Sequence, residues 1–398
     1  MSKNNEDFYK EKKPWSIIKD QLLGSYLKPY FAKILATQKP IFYVDAFAGK
    51  GMFDDGDPGS PVIALDIISE ALEKTQFRKP NIKSCFIELN HAHALRDNIK
   101  NYKNVDVVEG KYEENIDLML EGKQLHNVFL YIDPYGIKSL HFSIFEKLSS
   151  KRLYSVELLI NLNSFGFIRE ACNAMDVVFD IEELEDLIEI EIDSSTNNKK
   201  SILDLNGVAG GDYWQEIIQE YNNEIIDGYE AEMKFSEMYC ERLKDHFRYV
   251  LNMPIRLKRG QRPKYRMIHA TNHPAGCVLM NDNMCKRWEA VQDLQNQGQL
   301  SFFTEDVENR HIYTGELQAE ILEVMSTYKD YVDIEVFYAD FVSKYGVRLS
   351  TSDIRNELKQ LFNSRKIDVK RHPKKTVQGK ASTFWTTGKG KTIKVRCL

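Results

Sequence analysis

Two hydrophobic periods run through the chain, and the switch between them marks out its elements. Residues 14–36 place Trp15, Ile18, Leu22, Leu23, Tyr26 and Leu27 at helical spacing, interrupted near Pro29, which predicts one or two helices over the first strand. Short apolar runs follow at Ile41–Val44, Ser84–Ile87, Val105–Val108, Val128–Ile132 and Glu157–Leu162, with helix-like stretches between them. That rhythm is the signature of parallel strands joined by crossover helices. The unbroken apolar run Val128–Ile132 predicts a central strand buried on both faces. After residue 166 the rhythm breaks. It resumes with a helix at 235–251, followed by a hairpin read from MPIRLKRGQRPKYRMIHATN. From Gly315 three helical segments precede two short β-like segments around the loop HPKKTVQGKA, a pattern that predicts a winged helix-turn-helix.

The expected class is therefore α/β: a Rossmann-like sheet of the class I methyltransferase kind, with a helical insertion and a C-terminal winged helix-turn-helix domain. The boundaries are 1–40 for an N-terminal helical cap, 41–166 and 235–290 for the two parts of the core, 167–234 for the acidic insertion, 291–314 for a linker and 315–398 for the winged helix.

A length of 398 residues, 42% of them hydrophobic, allows two or three domains with real cores. No apolar run reaches membrane-spanning length, and six scattered cysteines without a CxxC pair suit reduced thiols, so a cytoplasmic location without a membrane partner is expected. The net charge of −5 conceals segregation. Residues 176–193 hold nine acids and no base, whereas 363–398 hold eleven Lys/Arg against Asp368 alone. Local charge therefore says more about partners than the total does.

The candidate chemistry lies at the strand ends. IFYVDAFAGKG (41–51) is a buried strand that runs through Asp45 into a turn containing Phe47, Gly49 and Gly51. Glycine there lets backbone pass close to a ligand at angles that a β-carbon forbids. The helix expected at Ser60-Pro61, with Ser60 as its cap, starts only after an acidic loop at 54–59. This separates the turn from a dinucleotide GxGxxG, and its acids would repel a pyrophosphate. Glu88 ends strand two, where a bidentate acceptor for ribose hydroxyls belongs. Asp133-Pro134-Tyr135-Gly136 closes strand four at the ligand-binding edge of an open sheet, the proline fixing the aspartate and the tyrosine offering a stacking face. His269, His273, Cys277 and Cys285 match no zinc spacing, and no metal is expected.

Together these motifs resemble S-adenosylmethionine-dependent methyltransferases, in particular the amino-methyltransferases that modify exocyclic base nitrogens. In those enzymes an acid and the next backbone carbonyl accept from the amino group while an aromatic side chain stacks on the displaced base. PWSIIKDQLLGSYLKPY, YVDAFAGKG, GSPVIAL, FIELN, YIDPYG and YRMIHATNHPAG further resemble the three-Cys-motif partner protein family. That resemblance implies S-adenosylmethionine as cofactor and a possible protein partner bearing three cysteines. Asp45, Phe47, Gly49, Gly51, Glu88 and Glu109 would hold the cofactor, with Glu109 at the adenine, and Asp133, Pro134 and Tyr135 would form the catalytic turn. Arg256, Lys258 and Arg259 of the hairpin and Arg371, Lys374, Lys375 and Lys380 of the wing are the candidate contacts to DNA or RNA. Two other readings stay open: a catalytically silent partner subunit in a defence or RNA-processing assembly, and a regulator that uses the sheet as a small-molecule sensor.

Overall fold

The computed structural model describes residues 9–75, 82–134, 136–179, 198–255, 265–296, 314–388 and 390–398. Tyr135, most of the acidic run, Arg256, Lys258, Arg259 and most of the expected linker lie outside them. The chain divides into two compact units, 1–272 and 273–398.

The first unit is built on seven strands: β1 (Ile41–Asp45), β2 (Ile82–Glu88), β3 (Val105–Glu109), β4 (Asn127–Ile132), β5 (Ser155–Leu162), β6 (Tyr249–Ile255) and β7 (Tyr265–Thr271). Their order is β3-β2-β1-β4-β5-β7-β6. β1 pairs in parallel with both β2 and β4, and β4 pairs in parallel with β5. Only β7 is reversed, antiparallel to β5 and to β6. The expected mixed α/β class and its mostly parallel sheet are present. Every residue of β1 and β4 is buried, as continuous apolar runs between two helical layers require.

Alternation along the strands sorts side chains to two faces. Phe42 and Val44 of β1, Leu130 of β4, and Leu158 and Ile160 of β5 face one core, shared with Phe142, Phe167, Trp214 and Phe235 from the following helices. The opposite parity includes Tyr43, Phe129, Glu157 and His269. It meets helix α1 (Pro14–Ile34), whose Tyr26 and Tyr30 pack on Phe129.

The segment expected to be an insertion is more integral than its acidity implied. Helices at Asn198–Ala209, Trp214–Asn222 and Gly228–Lys244 follow Ser164–Ala174 and bury Trp214 and Phe235 in the same core as the sheet. Phe167 and Phe235 stack at 3.9 Å between centroids. Hydrophobic anchors at helical spacing set the packing of these helices.

The second unit opens with helix α2 (Pro274–Asn296), which the sequence had assigned to the end of the core at 290. Its Cys277, Met280 and Met284 are buried, and Asn281 Nδ2 donates to Leu349 O at 2.9 Å. Helices Thr314–Ser326, Ile334–Tyr345 and α3 (Thr351–Asn363) follow, with a three-stranded antiparallel sheet made of Val332–Asp333, Thr392–Cys397 and Ile367–His372. Ser350 and Asp353 form a capping box on α3, and Asp282 adds a second cap by accepting from Thr351 N–H at 2.7 Å and Thr351 Oγ1 at 2.6 Å. No helix among the described residues is long and apolar enough to cross a membrane.

Replacing Asp282 with alanine leaves the first amide of α3 without that acceptor. It should destabilise the α3 N-terminus by about 1 kcal/mol, the usual worth of a cap. Hydrogen exchange at Thr351–Ile354 should accelerate several-fold, and unchanged protection would show that the capping box suffices alone.

Candidate functional site

Strand order reverses between β1 and β4, so the crevice at their carboxyl ends is the ligand position that an open α/β sheet provides. Asp45, Glu88 and Glu109 are the last residues of β1, β2 and β3, and Asp133 follows β4 directly. The topology thus brings the four predicted acids to one edge.

Their surroundings differ sharply. Glu88 is buried and accepts three backbone N–H groups: Gly49 N on Oε2 at 2.8 Å, and Asn90 N and His91 N on Oε1 at 2.8 and 3.0 Å. A carboxylate offers about four acceptor positions, so one remains on Oε2. The bidentate ribose acceptor expected from sequence is therefore largely spent on the backbone around the glycine turn and the start of the next helix. Glu109 lies in solvent, paired with Arg96 at 3.3 Å. Phe47 packs against Tyr112, centroids 5.6 Å apart.

The glycine turn is real. Gly49 and Gly51 have φ of 64° and 80°, left-handed values that favour glycine. What crowds Gly49 is part of the chain itself: a β-carbon there would lie 2.7 Å from the Tyr9 hydroxyl. Residues 9–12 form a strap over the turn. Asp54 N–H donates to Tyr9 O at 2.8 Å, Lys50 Nζ lies 4.6 Å from the Tyr9 ring centroid, and Lys12 Nζ donates to Pro58 O at 2.6 Å. The acidic excursion at 52–58 folds back through a Met52–Pro58 bridge, and Gly59 N–H returns to Gly51 O at 2.9 Å. The helix that follows, Ser60–Lys74, consequently starts beside Gly51 in spite of the insertion. Its cap is Gly59, and the Ser60 hydroxyl instead donates to Asp45 Oδ2 at 2.6 Å.

Asp45 is fully buried and also accepts from Phe47 N at 3.2 Å. Burial pushes its carboxyl up to about 7, the Ser60 and Phe47 hydrogen bonds opposing and the nearby Asp133 and Asp20 adding to the rise. Burial likewise pushes Asp20 up to about 6, offset by Lys12 at 2.7 Å and by Lys19. Lys19 is the residue that pattern reading missed. It lies on α1 four residues before Leu23, a charge on the buried stripe, and donates to Asp133 Oδ1 and Oδ2 at 2.9 and 2.7 Å. Asn161 Nδ2 donates to Asp133 Oδ1 at 2.7 Å, and the Tyr131 hydroxyl to Oδ2 at 3.2 Å. Asn161 carried a signal too, as a polar residue interrupting the apolar strand VELLINL.

Beside these, Arg266 grips the buried Glu232 through two hydrogen bonds of 2.8 and 2.6 Å, so it is a tie between β7 and the Gly228–Lys244 helix. His269 is bonded inside the sheet to Glu157 at 3.2 Å. No group of three potential metal ligands occurs among the described residues. In the second unit Lys374, Lys375 and Lys380 are exposed on the loop between the last two strands. Arg371 differs from them: its Nε donates to Phe384 O at 2.8 Å and its guanidinium lies over Trp385 and Phe362 at 4.8 and 5.3 Å.

No protein-family model matches the chain, and no curated protein matches it. Among solved structures, one of geranyl diphosphate methyltransferase in complex with GPP and sinefungin is similar at 12% identity, over 62% of this chain and 77% of that one, with a TM-score of 0.25. A likeness of that size names no family for this chain.

Two outcomes test this geometry. The unfolded carboxyl of Asp45 titrates near 3.8 and the folded one near 7, so its contribution to stability is complete below about pH 4 and is lost as pH rises to 7. Asp45→Asn removes that loss while keeping the Phe47 contact. The variant should be more stable than wild type at pH 8, by roughly 1–3 kcal/mol, with the advantage fading towards pH 4 in denaturant titrations. An advantage independent of pH would refute the assignment. Gly49→Ala should cost about 1–2 kcal/mol for the left-handed backbone, plus a clash that disappears in the Tyr9→Ala background. A double-mutant cycle with no coupling would mean that Tyr9 does not crowd the turn.

Proposed function

We propose that the protein binds S-adenosylmethionine over the carboxyl ends of β1, β2 and β4 and transfers its methyl group to an exocyclic amino nitrogen of a nucleic acid. One observation carries the reading: the strand order β3-β2-β1-β4-β5-β7-β6, with β7 alone reversed, converges a glycine turn and the acids Asp45, Glu88 and Asp133 on the switch point. This supports a class I methyltransferase sheet. The Gly49–Gly51 turn would approach the cofactor's amino-acid end, the remaining acceptor position of Glu88 a ribose hydroxyl, and Phe47 the flank of the site. Bound S-adenosylmethionine supplies an electrophilic methyl group. The residues of this chain would hold the acceptor nitrogen in line with it and keep water out.

Charge supports nucleic acid as the substrate class. Ile255 and Tyr265 pair with one another at the carboxyl edge of the sheet, and the sequence between them, 256–264, carries five Lys/Arg. In the second unit, a winged-helix reading fits three helices and a three-stranded sheet. There the carboxylates of Asp282 and Asp353 crowd the start of α3 and disfavour phosphate at that helix end. Lys374, Lys375 and Lys380 on the wing are left as the phosphate contacts. A three-Cys-motif protein remains the proposed protein partner.

One observation favours a second reading, that of a catalytically silent partner subunit. Every acceptor position of Asp133 is taken by Lys19, Asn161 and Tyr131.

Calorimetry with S-adenosylmethionine and radiolabelled methyl transfer to total DNA and RNA from the host decide between the two. We expect binding that Glu88→Gln weakens by about 1–2 kcal/mol, one charge-assisted hydrogen bond. We expect transfer that Asp133→Ala abolishes with cofactor affinity held within a few-fold. Cofactor binding without transfer selects the silent subunit, and no binding removes both readings. Alanine at Lys374, Lys375 and Lys380 should reduce the slope of log affinity against log salt by roughly one unit per lost contact.

A further inference from the structure

Asp133 and Asn161 form a closed pair with one open end. Asp133 accepts from Lys19 Nζ on both oxygens, from Asn161 Nδ2 and from the Tyr131 hydroxyl. A carboxylate only accepts, so the amide NH2 of Asn161 has to face it, and the orientation of the amide is fixed by chemistry. The Asn161 carbonyl oxygen is thereby turned away from Asp133. It is buried, on a residue only 2% exposed, and no donor among the described residues reaches it. Buried acceptors are nearly always satisfied in native proteins, so this one points to a donor that the described residues do not provide.

We propose that Asn161 Oδ1 and Asp133 together receive the exocyclic amino group of a flat heterocycle, and that Lys19 is the stand-in which that group displaces. The inference rests on the methyltransferase reading and deepens it by naming the residues that select the acceptor. An ammonium satisfies the carboxylate alone, and Lys19 leaves the amide oxygen without a donor. A planar amino group directs its two N–H bonds apart, one to Asp133 and one to Asn161 Oδ1, and leaves neither acceptor bare. The Tyr265 ring, its centroid 5.1 Å from Lys19 Nζ, sets an aromatic face beside the same position. A ring bearing a carbonyl there would set lone pair against lone pair at both acceptors. A site built to hydrogen-bond an N–H rejects such an analogue strongly. Lys19 belongs to α1, so displacement requires only that a long, flexible side chain swing out, with the helix in place.

The probes are 9-methyladenine and 1-methylcytosine, with 9-methylhypoxanthine and 1-methyluracil as their oxo counterparts. The full-length protein is first treated with an acetylating ester in the presence of each, and modification is read by mass spectrometry. We expect Lys19, which is buried, to react several-fold faster with either amino probe and no faster with either oxo probe. The exposed Lys74 serves as the constant reference. Lys19→Met keeps the stem and removes the competitor, so amino probes should bind it about tenfold more tightly than wild type by nuclear magnetic resonance titration. Asn161→Leu should narrow the preference for amino over oxo probes, with Asp133 left as the single selecting acceptor. Lys19 remaining protected while an amino probe is bound, equal binding of amino and oxo probes by wild type, or binding of no probe would each overturn the proposal. Should Lys19→Met fail to fold, the labelling of wild type and Asn161→Leu decides. Cofactor affinity measured on the same samples separates the two claims. Amino-selective binding without S-adenosylmethionine binding retains this inference and removes the methyltransferase reading, and the converse retains only that reading.

Discussion

A buried carboxylate, Asp45, with the half-buried Asp20 and Asp133 beside it at one end of a sheet, is the constraint from which the first unit is assembled. Burial raises the proton affinity of Asp20 and Asp45, Asp133 adds to the rise of both, and Asp20 adds to that of Asp45. Isolated ionised carboxylates are not tolerated in such a place, so each needs a partner. Lys12 and Lys19 supply positive charge from the N-terminal segment, Ser60 supplies a hydroxyl from the helix after the glycine turn, and Asn161 supplies an amide from β5. Three distant stretches of chain are thereby pinned to the switch point. The seating of the N-terminal helix over the sheet is as much an electrostatic requirement as a hydrophobic one.

The same arrangement explains why the crevice is narrower than its motifs imply. Glu88 spends three of its acceptor positions on backbone N–H groups, so it builds the turn that it was expected to serve with. Tyr9 lies on Gly49 and Lys19 holds Asp133. Both side chains come from the N-terminal segment, which makes that segment one wall of the site. A ligand there meets a site already satisfied almost everywhere, and affinity would come from exchanging partners, with little bare polar surface to cover.

The second unit follows a different logic. Its helix α3 begins under two caps, one local from Ser350 and Asp353 and one from Asp282 on α2. Negative charge at a helix start stabilises the helix and at the same time makes that end a poor place for phosphate. Positive charge has instead collected on the loop between the last two strands. Arg371, on the strand that leads into the loop, is folded against Trp385 and Phe362, and Lys374, Lys375 and Lys380 stay in solvent.

What the sequence by itself determined is what short-range pattern encodes. Unbroken apolar runs at Ile41–Val44 and Val128–Ile132 marked strands buried on both faces. The turn at 45–51, the acids at strand ends and the helix spacing of Trp15 to Leu27 were legible because each depends on neighbours in the chain. The fate of those residues was decided only by tertiary contact. Nothing in the order of letters shows that Glu88 bonds Gly49, that residues 9–12 cross the glycine turn, or that Lys19 reaches Asp133 from a helix more than a hundred positions away. The stretch from 167 looked like an insertion because the alternation of strand and helix breaks there, whereas the packing of its described helices is decided by a few buried aromatics such as Phe167, Trp214 and Phe235. A strand's period tells which face a side chain takes. The partner it finds there depends on strand order, and that order exists only in the folded sheet.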